Sequence, residues 1–403
     1  MNKKVISDIF LNIISLSIST CILQLIVYPV ISSNVSISSF GKILTIMGGI
    51  NVISVVIGGS LNNAQLINQK FYENMDDYYG DFKLLLYRYL FLILAISSII
   101  VNIPLLNISN IEKFSLLILV FLTTLRSYIP VLWRIKLNYK LIMFHSVVTA
   151  FGYLVGSILF IFTKNEWTII FILGEVFSLF FLMFKSNFSK IKLTKSVYLK
   201  KINIDFLNLL SSNIVANILV YFDRFLLQGF LGSNEVSIYF AASIFGKLAS
   251  MVLQPISGVF LSYLSRENSE RKKLYYLYFL LASVTFGIIL FLSSLLISPI
   301  FVQVLYKDLY NEAKEYMTLA NLSTIILITG SLLQPVLLKF ANLLWQNVIQ
   351  IIYGLVFVLL GYILISSHGM FGFVIASLFS NIIRFLLFVL VGYFSIWRNK
   401  NND

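Results

Sequence analysis

Long apolar runs separated by short polar breaks recur along the whole chain, and they limit the possible fold more than any other feature. A run of about 20 apolar residues crosses a bilayer as an α-helix. Barrel strands are about 10 residues long and alternate in hydrophobicity, which these continuous runs do not. An all-α polytopic membrane protein is therefore predicted. Its twelve spans are placed at 9–33, 40–60, 84–106, 114–133, 141–163, 166–185, 205–231, 236–262, 274–305, 315–338, 346–366 and 370–395.

The composition excludes several classes of protein. Of the 403 residues, 59% are hydrophobic and 12% are charged, whereas soluble globular chains carry about 25% charged residues. A soluble enzyme, a disordered protein and a secreted disulfide scaffold are excluded. One cysteine cannot form an internal disulfide, and two histidines cannot by themselves build a histidine metal site. No G-x-x-x-x-G-K-[ST] motif for ATP is present, so we expect no metal and no cofactor.

The net charge of +13 is interpreted as an orientation signal and not as a nucleic-acid surface. Cytoplasmic loops of membrane proteins carry an excess of lysine and arginine. If the amino terminus is inside and the spans alternate, nearly all basic residues in the breaks fall on the inner side. The exceptions on the outer side are Lys113, Lys164, Lys307 and Lys314. Twelve spans with both termini in the cytoplasm are therefore predicted.

A short internal repeat divides the chain into two halves. Residues 10–15 read FLNIIS and residues 206–211 read FLNLLS. With six spans in each half, the halves would be parallel repeats about an axis along the membrane normal. Chance similarity in a chain rich in Ile, Leu and Ser is the alternative. The predicted domains are an amino-terminal bundle over 1–185, a basic cytoplasmic linker over 186–204 and a carboxyl-terminal bundle over 205–403.

Several charged residues lie inside the predicted spans. A charge at mid-bilayer costs about 2.5–3.5 kcal/mol on insertion scales, so such residues are expected to face a bundle interior or a cavity. The cations are Lys42, Arg126, Arg224, Lys247 and Arg384, and the carboxylates are Glu175 and Asp223. The excess of cations suits an anionic ligand, and arginine matches phosphate oxygens in a bidentate fork. The five cations are therefore candidate substrate-binding residues.

The two carboxylates have alternative interpretations. Burial raises a carboxyl pKa towards physiological pH, so Glu175 is a candidate coupling group for an ion gradient. Alternatively, it is a permanent partner of Arg126 or Arg384. Asp223 and Arg224 are adjacent and point about 100° apart on a helix, so each is expected to have a partner elsewhere.

A purely structural role remains open for some of these charges. Asp223 and Arg224 would then tie helices together as buried pairs. Lys42 lies near the outer end of its predicted span, where a lysine can extend its ammonium to the membrane surface. For Arg126 and Lys247, which lie near the middle of their spans, a functional role is favoured.

Residues 206–262 resemble the start of the second half of the O-antigen flippases. These are Wzx-type polysaccharide transporters of the multidrug/oligosaccharidyl-lipid/polysaccharide exporter (MOP) superfamily. The similar elements are DRFLL at 223–227, LG at 231–232, EVSIY at 235–239 and AA at 241–242. Family members often carry a proline where Pro255 stands. The rest of the resemblance is in length and topology. The chain ends earlier than the fourteen-helix lipid II flippases, which favours the polysaccharide branch.

The resemblance implies two six-helix bundles around a central cavity. The substrate would be an undecaprenyl-diphosphate-linked oligosaccharide, flipped by alternating access from the cytoplasmic to the outer leaflet of the bacterial inner membrane. O-antigen, capsule or a related polymer would be assembled from it. An ion gradient would drive the step through Glu175 or Asp223. Expected partners are membrane lipid, a polysaccharide polymerase and a chain-length regulator.

Three other classes of protein are alternatives to this interpretation. A small-molecule exporter of the same superfamily is the main alternative, although drug exporters usually have carboxylate-lined cavities. A polysaccharide polymerase or acyltransferase would need a large outer loop or a catalytic cluster, and neither is predicted, so an enzyme is not expected. The loop at 61–83 lacks the G-x-x-x-D-R/K-x-G-R/K motif of major facilitator transporters.

Overall fold

The computed structural model describes residues 3–72, 74–103, 108–164, 166–264, 272–341 and 344–398, and all regular structure within these ranges is helical. The helices up to residue 220 are α1 (Lys3–Ile22), α2 (Tyr28–Ser32), α3 (Ile37–Asn68), α4 (Met75–Val101), α5 (Asn110–Tyr128), α6 (Val131–Ile135), α7 (Tyr139–Thr163), α8 (Thr168–Ser186) and α9 (Leu199–Val220). Those that follow are α10 (Phe222–Phe230), α11 (Ser233–Ala242), α12 (Ile244–Leu264), α13 (Lys272–Leu305), α14 (Tyr310–Gly330), α15 (Gln334–Phe340) and α16 (Leu344–Gly392).

These helices cover the positions of the twelve predicted spans, apart from residues 104–106, which lie outside the described residues. Nine helical stretches among the described residues are long and apolar enough to cross a membrane. The last of them, Leu344–Ile396, is 53 residues long and contains non-helical backbone at Gly369 (φ 58°, ψ −133°), so it comprises two spans. The spans predicted at 205–231 and 236–262 correspond to α9 with α10 and to α11 with α12. Short interruptions near residues 221 and 243 divide these two spans.

Polar side chains cap the amino-terminal ends of several helices. The Ser109 hydroxyl accepts a hydrogen bond from the Glu112 backbone N–H at the start of α5. Asn74 caps α4 and Asn138 caps α7 in the same way. Such caps satisfy backbone donors that have no partner within the helix. They explain why these helices begin where they do.

The helices form two compact units. The first comprises Met1–Asn34 and Thr45–Phe222, and the second comprises Val35–Leu44 and Asp223–Asp403. The start of α3 therefore packs within the second unit. The organisation into repeated bundles over 1–185 and 205–403, with a linker over 186–204, stays a prediction.

In the first unit, α7 and α8 approach each other closely through glycines. A Cβ placed on Gly156 would lie 2.6 Å from the Ile170 Cα, and one on Gly152 would lie 2.8 Å from the Gly174 Cα. Small residues at these positions let the two backbones come into contact, as is common between membrane helices. This contact places α7 and α8 directly side by side.

In the second unit, α14 packs against α11, α12, α13 and α16. Asn321 on α14 connects several of these helices through its buried amide. Its Nδ2 donates to the Ala242 carbonyl and to the Ser298 hydroxyl, both at 2.9 Å, and its Oδ1 accepts from the Gly246 backbone N–H at 3.1 Å. A buried polar group with all its partners satisfied specifies one arrangement of helices.

We expect Gly156→Ala to destabilise the protein, because the added methyl group would overlap the α8 backbone. Overpacking of this kind costs about 1–3 kcal/mol, and the midpoint of thermal unfolding in detergent should fall measurably. Gly59→Ala in α3 is the matched control, since no described atom beyond its own stretch of helix lies within 4 Å of a Cβ there. Equal midpoints for the two variants would contradict the close approach of α7 and α8.

Candidate functional site

The first unit contains a buried ion pair between α5 and α8. The Arg126 Nε donates to the Glu175 Oε2 at 2.6 Å, and the Tyr153 hydroxyl on α7 donates to the Glu175 Oε1 at 3.0 Å. The Glu175 side chain is 4% exposed and that of Arg126 is 26% exposed. Both carboxylate oxygens are thus occupied, and the pair is electrically neutral. Of the two arginines that the sequence allows as partners of Glu175, the structure pairs it with Arg126.

A polar row on α7 continues this site. His145 and Thr149 precede Tyr153 at intervals of four residues, so all three lie on one face of the helix. The His145 Nε2 lies 2.6 Å from the Ser178 Oγ on α8, and His145 and Thr149 are buried. Sequence reasoning missed Tyr153 and His145 as parts of this site. The spacing of four was the signal that could have identified them.

The second unit contains another ion pair, between α10 and α12. The Lys247 Nζ lies 3.4 Å from the Asp223 Oδ2, and the Asp223 Oδ1 accepts the Arg224 backbone N–H at 2.9 Å. The Lys247 ammonium also lies over two rings, 4.6 Å from the centroid of Phe240 and 5.4 Å from that of Tyr239. Aromatic faces stabilise a cation by about 0.5–2 kcal/mol each, most strongly when water is excluded.

Arg224 is held by contacts other than its neighbour in sequence. Its Nη1 donates to the Leu44 carbonyl at 2.8 Å, and its guanidinium lies 5.5 Å from the Phe240 ring centroid. Asp223 and Arg224 therefore do contact different groups. Lys42 lies two residues before Leu44 in the part of α3 that belongs to the second unit, and it is half-buried.

Arg384 on α16 lies among aromatic rings. Its guanidinium is 5.3 Å from the Tyr353 ring centroid and 5.2 Å from that of Phe388, and its Nη1 donates to the Leu327 carbonyl at 3.3 Å. Its buried Nε has no hydrogen-bond partner within the described ranges. A buried donor without a partner costs about 1–3 kcal/mol. Arg384 therefore has hydrogen-bonding capacity left for a ligand.

The two units differ in their balance of charge. In the first, Arg126 and Glu175 cancel each other. Among the candidate residues of the second unit, four cations accompany one carboxylate; these are Lys42, Arg224, Lys247 and Arg384, with Asp223. Among these candidate residues cations outnumber carboxylates, and an anionic ligand would reduce that imbalance. No group of three or more metal-ligating side chains occurs in the part of the chain that the structure describes.

Comparison with known proteins identifies the fold but no family. No protein-family model matches the chain, and no curated protein matches it. Solved structures do match. An inward-facing multidrug resistance MATE family transporter of the MOP superfamily is 14% identical, with a TM-score of 0.74 over 97% of this chain and 100% of that chain. The lipid II flippase MurJ in an inward closed conformation is 17% identical, with a TM-score of 0.69 over 96% of this chain and 86% of that chain.

A third structure, an outward-facing MATE family transporter of the MOP superfamily, is 16% identical, with a TM-score of 0.65 over 98% of this chain. These likenesses cover nearly the whole chain at low identity, so they show the fold. The chain has the all-α membrane fold of these transporters, which confirms the predicted fold class. The predicted O-antigen flippase specificity is finer than the fold and is taken up below.

We expect Glu175→Gln to destabilise the first unit, because it leaves the Arg126 guanidinium buried without its anion. Breaking one side of a buried pair costs about 3–5 kcal/mol, and the partial exposure of Arg126 places the expected value near the lower end. The double variant Arg126→Met with Glu175→Met removes both charges and should recover most of the loss. Thermal unfolding in detergent measures both. A single variant as stable as the wild type would contradict a permanent pair.

Proposed function

We propose that this protein flips an undecaprenyl-diphosphate-linked oligosaccharide across the bacterial inner membrane by alternating access. The fold is that of MOP-superfamily transporters, among whose solved structures is a lipid II flippase. The resemblance of residues 206–262 to O-antigen flippases favours the polysaccharide branch. The observation that carries the proposal is the excess of cations over carboxylates among the buried and half-buried candidate residues of the second unit, since a diphosphate brings the opposite charge.

Each candidate residue has a role in this proposal. Arg224 and Arg384 would bind phosphate oxygens, because a guanidinium donates in a planar fork that matches them. Lys247, Lys42 and Arg126 would add positive charge along the route. Arg384 and Lys247 have the most direct support, since the Arg384 Nε and the Lys247 Nζ both lack a hydrogen-bond partner within the described ranges.

The two carboxylates would couple transport to an ion gradient. Asp223 holds Lys247, and Glu175 holds Arg126. Protonation or cation binding at either carboxylate would weaken its hold on the basic partner. That partner would then favour substrate phosphate, and substrate and coupling ion would be linked through one shared cation. Such reciprocal linkage is a general property of two ligands that act on one equilibrium.

The proposed setting follows from the same interpretation. The protein would lie in the inner membrane with both termini in the cytoplasm. It would supply a polysaccharide polymerase and a chain-length regulator with substrate. No chemical reaction on the substrate is proposed, so the protein would act as a transporter and not as an enzyme.

A small-molecule exporter is the second candidate, and the likeness to multidrug resistance MATE transporters favours it. Reconstitution of the purified protein in lipid vesicles separates the two functions. The flippase predicts movement of a fluorescent polyprenyl-diphosphate oligosaccharide between leaflets and no uptake of cationic dyes such as ethidium. Dye movement without flipping of the lipid-linked sugar would favour the exporter.

We expect Arg384→Gln to reduce flipping in this assay by about tenfold or more, because a charged hydrogen bond to phosphate is worth about 1.5–3 kcal/mol. Arg384→Lys should retain part of the rate, since it keeps the charge but loses the fork. Arg88→Gln is the matched control: Arg88 is exposed on α4 and lies over Tyr89. Equal rates for Arg384→Gln and Arg88→Gln would contradict the assigned role.

A further inference from the structure

The connection between α8 and α9, residues 187–198, is fixed to α4 in the first unit. Asp81 on α4 is fully buried and accepts hydrogen bonds from the Ser196 backbone N–H at 2.9 Å and from the Tyr72 hydroxyl at 2.8 Å. Burial and the bond to Asp81 raise the pKa of Tyr72, so its hydroxyl stays a donor at physiological pH. The carboxylate of Asp81 therefore serves the connection and does not face solvent.

A lysine fixes the other end of the connection. The buried Lys83 Nζ donates to the Ile191 carbonyl at 2.6 Å and to the Phe188 carbonyl at 3.3 Å. It also lies 5.0 Å from the centroid of the Phe188 ring. Charged donors make the stronger hydrogen bonds. The connection is thus fixed to α4 at two places. The side of it that faces away from α4 therefore has a fixed backbone.

The side of the connection that faces away from α4 is strongly basic. The exposed lysines in and around the connection are Lys185, Lys190, Lys192, Lys195, Lys200 and Lys201. No Asp or Glu occurs in the sequence between Glu175 and Asp205. Asp77 is nearby, since its carbonyl accepts from the Thr194 hydroxyl, but its carboxylate accepts from the Asn74 amide. We call the exposed side of residues 185–201 the basic surface.

Two apolar side chains are exposed among these lysines. Leu193 is 54% exposed and Val197 is 89% exposed. The partly buried residues Thr194 and Ser196 lie between and beside them and hydrogen-bond to Asp77 and Asp81 on α4. The connection joins α8, a candidate membrane span, to α9, where the predicted span 205–231 begins. It therefore lies at the boundary between the bilayer and water, where exposed apolar side chains can enter the lipid interface.

We propose that the basic surface binds the phosphate groups of anionic phospholipids in the adjoining leaflet, with Leu193 and Val197 inserted between the headgroups. Basic residues beside membrane helices attract anionic lipid by a factor of about five for each lysine near the surface. The buried anchors fix the backbone that carries the lysines, so binding does not have to order the segment. This lipid contact is independent of what the protein transports.

The test uses the purified full-length protein in detergent and a fluorescent phosphatidylglycerol as the probe, followed by fluorescence anisotropy. The triple variant Lys190→Gln, Lys192→Gln, Lys195→Gln should bind the probe about tenfold more weakly or worse. The matched control is Lys164→Gln, Lys307→Gln, Lys314→Gln, which removes three exposed lysines elsewhere. It should bind the probe within about twofold of the wild type, because each of these lysines has an Asp or Glu within two positions in the sequence. Helical circular dichroism confirms that both variants are folded.

Further measurements make the test decisive. Binding should weaken between about 0.05 M and about 0.5 M salt, because salt screens exposed charges. Fluorescent phosphatidylcholine should bind poorly. The variant Leu193→Ser, Val197→Ser should lose affinity but keep the salt dependence. Equal losses in the two triple variants, or equal binding of both lipids, would overturn the proposal. So would displacement of the probe by soluble diphosphate at micromolar concentration, since the site would then recognise free phosphate.

Discussion

A charge placed among apolar helices needs an opposite charge, a hydrogen-bond acceptor or an aromatic face, and the arrangement of this protein depends on how each unit supplies them. In the first unit, Glu175 accepts from both Arg126 and Tyr153, so the cluster is closed and neutral. The glycines of α7 and α8 make it possible by letting Tyr153 and Glu175 meet. In this unit, the close packing of α7 and α8 is therefore also what makes the neutral cluster around Glu175 possible.

In the second unit, the same requirement is met without full neutralisation. Asp223 balances Lys247, while Arg224 and Arg384 donate to carbonyls and lie beside aromatic rings. Carbonyls and rings stabilise a guanidinium but carry no net charge. Arg384, which is half-buried and has no salt bridge within the described ranges, therefore keeps its positive charge at a cost that an anionic ligand would reduce. This difference between the units is the physical basis for proposing a substrate that carries phosphate.

The sequence was sufficient for the fold class and less so for the site. Run length alone predicts all twelve spans, because lipid requires about 20 apolar residues for each helix. The free-energy cost of a charged side chain in lipid indicates which charged residues need a partner. It does not indicate which residue the partner is. Glu175 could have paired with Arg126 or Arg384, and only the packing of α5 on α8 decides between them. Tyr153, Tyr239 and Tyr353 looked like ordinary apolar residues of a span. Asp81 and Lys83 looked like loop charges, although they hold the α8–α9 connection in place.

The central claim is that the protein moves a lipid-linked oligosaccharide from one leaflet to the other. The most direct measurement is the leaflet in which this lipid resides in cells that lack the gene but keep the rest of the polysaccharide pathway. The account predicts accumulation on the cytoplasmic leaflet and loss of surface polymer, both reversed by the intact gene. Arrival of the lipid at the outer leaflet at the normal rate, in cells with no second flippase, would contradict it.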